Sequence, residues 1–188
     1  PYSLEVESGR FAQKGAAFIA GTIVDCQSVP VDMLMFYDAR INSGMNNMFT
    51  PATYHPMKGY YPFYAWSKLL DCGTQVACSV KEGRGKESNA NTGTVFKSDI
   101  GKPVGSFRAV AAKKKDGSGA VFVVRYSEDN NVTDTATVKI VVPGVSLVNA
   151  RCHLTDAVRT YTEVPLDIQP GGEGIIRMQP NSFAFIEW

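Results

Sequence analysis

The stretch VDMLMFYDAR, residues 31–40, decides how this chain is read. Met33, Leu34, Met35 and Phe36 are consecutive, where a half-exposed strand would alternate apolar with polar residues. Residues 31–36 are therefore expected to form a strand covered on both faces, the habit of parallel sheets packed between helices. The run ends abruptly in Tyr37-Asp38-Ala39-Arg40, which gathers the polar groups at the C-terminal end of the expected strand.

Upstream, apolar residues recur at helical spacing over 8–24. Phe11, Gly15, Ile19 and Ile23 lie on one line and Ala12, Ala16, Ala20 and Val24 on the next, with Ser8 suited to the N-cap. So wide a stripe of small residues predicts a helix lying close against a sheet. Ser28-Val29-Pro30 turns the chain into the 31–36 run. Downstream, GYYPFYAWSKLL predicts a second helix over 59–70, with Pro62 tolerated in its first turn. Helix, buried strand, polar loop and helix make the grammar of an α/β layer. One strand and two helices cannot bury their own apolar faces, so this portion reads as the end of something larger.

After Cys72-Gly73 the pattern changes to short strands of period two. TQVACSV, SFRAVAAK, GAVFVVRYS, TATVKIVV, NARCHLT, GIIRMQ and SFAFIEW are separated by clusters such as EDNNVTD and QPGGEG. Regular antiparallel strands argue for a β-sandwich. GRGKESNANTG, residues 83–93, is polar and glycine-rich and is expected to be a long surface loop. The expected fold is mainly β: an antiparallel sandwich over 73–188, preceded by an incomplete α/β segment over 1–72.

A net charge of +1 over 188 residues gives no reason to expect nucleic acid as a partner. Lys113, Lys114 and Lys115 run straight into Asp116-Gly117-Ser118-Gly119 and read as a solvated edge beside a turn. No apolar run approaches the length of a membrane span. Cys26, Cys72, Cys78 and Cys152 contain no CxxC pair, and only His55 and His153 could assist them, so neither a metal site nor a cofactor is expected. Buried thiols are the plain reading, with a Cys72–Cys78 disulfide open in an oxidising compartment.

AAFIAGTIVDCQSVPVDMLMFYDAR followed by NNMFTPATYHPMKGYYPFYAWSKLLDCG resembles the last part of the catalytic barrel of clan A glycoside hydrolases, family 39 and its bacterial relatives in particular. VVRYSEDNNVTDTATVKIVV and IIRMQPNSFAFIEW resemble the C-terminal β-sandwich of the same enzymes. The resemblance implies that residues 31–36 are the eighth barrel strand, with Tyr37, Asp38 and Arg40 at the end where barrel enzymes build their sites. Asn46 and Asn47 follow in the loop, where the resemblance lets them contact substrate; this sequence lacks the Trp the family often carries nearby. Retaining glycosidases need two flanking carboxyl groups. The resemblance places both glutamates upstream of Pro1, so the chain alone is expected to be inactive, with carbohydrate as the partner of the whole enzyme. Glu5 and Glu7 precede a helix and read as charges complementing its N-terminus. The family also implies a secreted or periplasmic protein, and the incomplete layer implies self-association or association with the missing barrel portion.

Aromatic residues carry the competing reading, a sandwich that itself binds polysaccharide. Alternation nominates Phe122, Tyr126, Tyr161 and Trp188, of which Phe122 sits in AVFVV and reads as core; among the other three, Tyr126 and Trp188 are taken as candidates for sugar stacking. In YYPFYAW the helical spacing groups Tyr60, Phe63 and Tyr64 with Ser67, a group that reads as core rather than as a ligand strip. A purely structural sandwich is the plainest alternative.

Overall fold

Two stacked sheets and two helices make three layers, and the parity of residues along the strands shows why. The computed structural model describes residues 10–36, 39, 48–84, 91–95 and 106–188. Glu5, Glu7, Ser8, Tyr37, Asp38, Arg40, Asn46 and Asn47 lie outside the described residues. The helices are α1 (Arg10–Asp25) and α2 (Tyr61–Leu70), the latter entered through a 3-10 turn at Lys58–Tyr60. The strands are β1 (Thr74–Val76), β2 (Lys81–Arg84), β3 (Asn91–Val95), β4 (Phe107–Lys113), β5 (Gly119–Arg125), β6 (Ala136–Ile140), β7 (Arg151–Thr155), β8 (Thr162–Val164), β9 (Asp167–Ile168), β10 (Gly174–Met178) and β11 (Ser182–Glu187).

One sheet has six strands in the order β1-β4-β5-β11-β7-β8, and the other five in the order β2-β3-β6-β10-β9. The pairings are antiparallel except β3 with β6, which run parallel. Between the sheets lie Val121 and Val123 of β5, Ala109 and Ala111 of β4, Ala184 and Ile186 of β11, and, from the facing sheet, Val138, Ile140, Ile176 and Met178. The alternate residues of the same strands, Val110, Ala112, Ala120, Phe122, Val124, Phe183 and Phe185, form a second core against the helices. The six-stranded sheet is thus covered on both faces, and every residue of β5 is buried.

The helices fit that outer face because they present small side chains. Ala16, Ala20 and Val24 of α1 and Ala65 and Leu69 of α2 are the buried contributors. Close approach brings the β-sheet side chains within reach: Arg108 on β4 donates from Nε to both carboxylate oxygens of Asp25, at 2.9 and 2.8 Å. In α2 the buried line is Pro62, Ala65 and Leu69. The expected group of Tyr60, Phe63, Tyr64 and Ser67 is rotated from that line, and Ser67 is exposed. Gly73 ends the helix with φ 79°, a left-handed turn that favours glycine.

Arg125 joins the two sheets at one end of the sandwich. Buried to 3% exposure, it donates from Nη1 to the carbonyls of Asp134 (2.7 Å) and Met178 (2.8 Å) and from Nη2 to the Asp134 carboxylate (2.8 Å). A buried guanidinium is tolerated because its donors are answered and Phe107 lies under it at 5.4 Å.

Two expectations are corrected. Residues 31–36 form no strand, and Val31, Met33, Leu34 and Met35 are 47, 75, 52 and 81% exposed. A strand needs a neighbour's backbone, and among the described residues none stands beside this run; α1 packs on the six-stranded sheet instead. Among the described residues the amino-terminal portion before β1 is therefore helical, with no strand of its own. Residues 83–93 are also not simply a loop, since β2 and β3 pair from Lys81↔Thr94 to Arg84↔Asn91. Backbone pairing at a sheet edge demands little of side chains, so the apolar pattern is weak there. All four cysteines are free. Cys72 belongs to the helix-side core and Cys78 to the core between the sheets, which keeps them apart.

Candidate functional site

The sugar-contact residues expected at 37–47 fall outside the described residues, but the structure fixes the chain on either side of them. Phe36 meets Phe63 edge-on at a ring separation of 5.5 Å, and Phe49 meets Tyr60 at 5.4 Å. The Met57 N–H donates to the Met48 carbonyl (2.8 Å), Thr50 N–H to the His55 carbonyl (2.9 Å), and Phe49 bridges Pro56. The chain thus leaves and returns at the first turn of α2, where aromatic pairs hold both ends.

That turn is in turn clamped to the sandwich. Lys58 Nζ donates to the carbonyls of Asp156 and Ala157, the latter at 2.7 Å. Burial holds its pKa below the usual lysine range, against an upward pull from the Asp156 carboxylate. The Asp156 carboxylate, itself buried, accepts from the backbone N–H groups of Val158 (3.0 Å) and Arg159 (2.8 Å) and pairs with the Arg159 guanidinium. Those bonds shape the turn after β7.

The same turn delivers Tyr161, in a left-handed conformation at φ 48°, between two parallel rings: Tyr61 at 5.0 Å and 9°, and His153 at 4.6 Å and 10°. Tyr64 closes edge-on at 5.4 Å. Burial raises the Tyr161 pKa and lowers that of His153, where the Arg151 charge adds to the effect. Sequence reasoning had no signal for this stack, because Tyr61 and Tyr161 are one hundred positions apart. Tyr161 accordingly presents no free face for a ligand.

Tyr126 and Trp188 occupy unlike settings. The Tyr126 ring takes the edge of Phe18 at 5.6 Å and the Arg108 guanidinium at 5.8 Å. Trp188 is half-buried beside the core between the sheets. Its backbone N–H and carbonyl pair with Gly119 at 3.0 and 3.1 Å, and its indole N–H donates to the Gly117 carbonyl at 3.2 Å. Only glycine fits at 119, where a Cβ would stand 2.6 Å from Trp188 Cζ2 and from the Ala112 carbonyl oxygen. Phe122, fully buried, is core. Among the described residues no group of three His, Cys, Asp or Glu side chains gathers as a metal site, and no helix is long and apolar enough to cross a membrane.

No protein-family model matches the chain, and no curated protein matches it. Solved structures do. The glycoside hydrolase family 30 subfamily 8 xylanase Xyn30A from Clostridium acetobutylicum aligns over 93% of this chain and 38% of its own, with a TM-score of 0.54 and 10% identity. The chain shares a glycoside hydrolase fold. A family 30 endoxylanase from Clostridium papyrosolvens aligns over 92% of this chain and 37% of its own (TM-score 0.55, 12% identity), and a glucosidase from Croceicoccus marinus over 94% and 41% (TM-score 0.51, 12% identity). This chain spans about two fifths of the length of each. The likeness to clan A enzymes expected from the sequence is present at the level of fold, while the expected assignment to family 39 finds no support in these neighbours.

Proposed function

We propose that this chain is the C-terminal portion of a glycoside hydrolase acting on plant-type polysaccharides or their oligosaccharides, xylan foremost. Residues 1–72 supply the last elements of a (β/α)8 barrel and residues 73–188 an accessory β-sandwich. The carrying observation is the alignment of 92–94% of this chain with only 37–41% of three longer glycosidases, two of them xylanases. Within the clan, these neighbours favour a family 30-like over a family 39-like parent.

In this reading residues 31–36, which form no strand in this chain alone, pair as the eighth barrel strand once the rest of the barrel or a second copy of the chain supplies a neighbour. Tyr37, Asp38, Arg40, Asn46 and Asn47 contact sugar hydroxyls in the assembled barrel, on a loop whose ends are held at α2. The two catalytic glutamates lie upstream, so the chain alone does not hydrolyse substrate.

Intact-mass spectrometry with light scattering on a sizing column, followed by reducing-sugar assays on xylan, tests these points. The expected result is a self-associated or partner-bound chain with no activity by itself. Hydrolysis by the pure chain would place the catalytic pair within it and overturn the proposal. A sugar-binding sandwich is the second reading, and Trp188 favours it over Tyr126, whose ring is occupied by Phe18 and Arg108. Retardation in xylan-containing gels, lost in Trp188→Ala, would carry that reading.

A further inference from the structure

A column of rings runs from the chain around Phe49 to β7. Phe49 meets Tyr60, Tyr60 meets Tyr61 edge-on at 5.4 Å, Tyr61 stacks on Tyr161, and His153 ends the column face to face with Tyr161. The first turn of α2 is thereby joined to the six-stranded sheet through the one kind of side chain that ordinarily titrates near neutral pH.

His153 is set to stay neutral. Its side chain is 13% exposed, and among the described residues its buried Nδ1 has no hydrogen-bond partner. In the imidazolium both ring nitrogens carry protons, so Nδ1–H would become a buried donor with no acceptor. The surrounding charges pull both ways. Arg151, two residues back on β7, opposes a second cation, whereas the carboxylates of Glu163 on β8, 3.8 Å from Nε2, and of Glu187 on β11 favour one. Glu163 is already engaged by the Arg151 guanidinium at 2.9 Å, and burial together with Arg151 prevails, holding the His153 pKa below the usual histidine range. The turn after β7 and α2 bring only phenols to the stack, Tyr161 and behind it Tyr61 and Tyr64.

Tyr161 is held under tension between these rings. A φ of 48° is unfavourable for so bulky a residue, and its N–H is tied to Thr155 Oγ1 at 2.9 Å. Lys58 grips the same turn through the carbonyls of Asp156 and Ala157, acceptors that do not titrate, so α2 stays tethered if the rings part.

We propose that His153, Tyr161 and Tyr61 form an acid-sensitive latch: neutral His153 keeps the strained Tyr161 ring against α2, and its protonation frees that ring and uncouples the first turn of α2 from the sandwich. The latch needs only contacts within this chain and stands apart from the glycosidase reading. The sign follows from the lowered folded value. The closed state is whole above the unfolded histidine value and is lost as pH falls toward the folded one.

The test is hydrogen exchange of the whole chain between about pH 7.5 and 5, corrected for the intrinsic pH dependence of exchange, beside NMR titration of both histidines. Amides at the entry to α2 and in the turn after β7 should open up to about tenfold more per pH unit below about 6.5, since opening takes up one proton, while β5 and β11 stay protected. His153→Phe keeps a flat ring that cannot charge and should abolish the response. Arg151→Gln, at an exposed position, removes the repelling cation and should weaken the response without repacking the stack. His55→Gln should leave it unchanged. An equal response in His153→Phe, no opening on acidification of the native chain, or a His153 titration at or above the ordinary value would each overturn the proposal.

Discussion

β5 and the run at 33–36 are both nearly continuous apolar stretches, yet the first is wholly buried and the second largely exposed. Each demands cover on two faces. β5 finds it within the chain, with the facing sheet on one side and α1 and α2 on the other. The other run finds neither a ladder nor a layer among the described residues. Continuous apolarity therefore states what a segment requires, while the cover itself comes from whichever elements can reach it.

Phe122→Ala strikes the covered side of this comparison hardest. Its ring meets Phe183 and Phe185 edge-on at 5.5 and 6.3 Å in the helix-side core. Chemical denaturation should show a loss of about 3–5 kcal/mol, and a loss below about 1 kcal/mol would mean that the helices do not pack there. Gly119→Ala, which forces a Cβ against backbone and indole, should cost about 1–3 kcal/mol and weaken the Trp188 fluorescence signature of the native state.

Alkaline pH distinguishes the regions in another way, because the core between the sheets holds two thiols and the 31–35 run holds none. Burial pushes Cys78 and Cys152 up to about 12 from an ordinary value of 9.0. Each binds its proton more tightly folded than unfolded, so the stability it contributes is whole below the unfolded value and is lost as pH rises through the folded one. Denaturation midpoints should fall across that window by up to about 1.4 kcal/mol per pH unit per thiol, and a Cys78→Ala, Cys152→Ala variant should flatten the slope. The smallest effect is expected at the exposed run. Met33→Ser with Met35→Ser should change stability by less than about 0.5 kcal/mol while reducing self-association in light scattering; a larger loss would show that the run is covered after all.

The same contrast explains what could be read from the sequence. α1 and α2 were legible to within two residues, because the Ala16-Ala20-Val24 line and Pro62 are local signals. β4, β5, β6, β10 and β11 were legible from alternation and turn residues. β2, β3, β8 and β9 were not: β2, β8 and β9 are short edge strands and β3 lies next to that edge, where a strand is chosen by its neighbours' backbone rather than by its own side chains. The candidate site was less legible still. Tyr37, Asp38 and Arg40 were placed by a resemblance, whereas the Tyr61–Tyr161–His153 stack and the Lys58 clamp join distant positions that no periodicity connects.

The core shared between α1, α2 and the six-stranded sheet bears on how such a molecule can be recombined. Severing the chain at Gly73 would strip the cover from Phe122, Phe183 and Phe185 at once, leaving an oily plane where the helices had been. The sandwich is thus no free-standing cassette. A graft onto another catalytic scaffold would have to carry the two helices with it, and the inheritable unit, whether for evolution or for an engineer, begins ahead of α1.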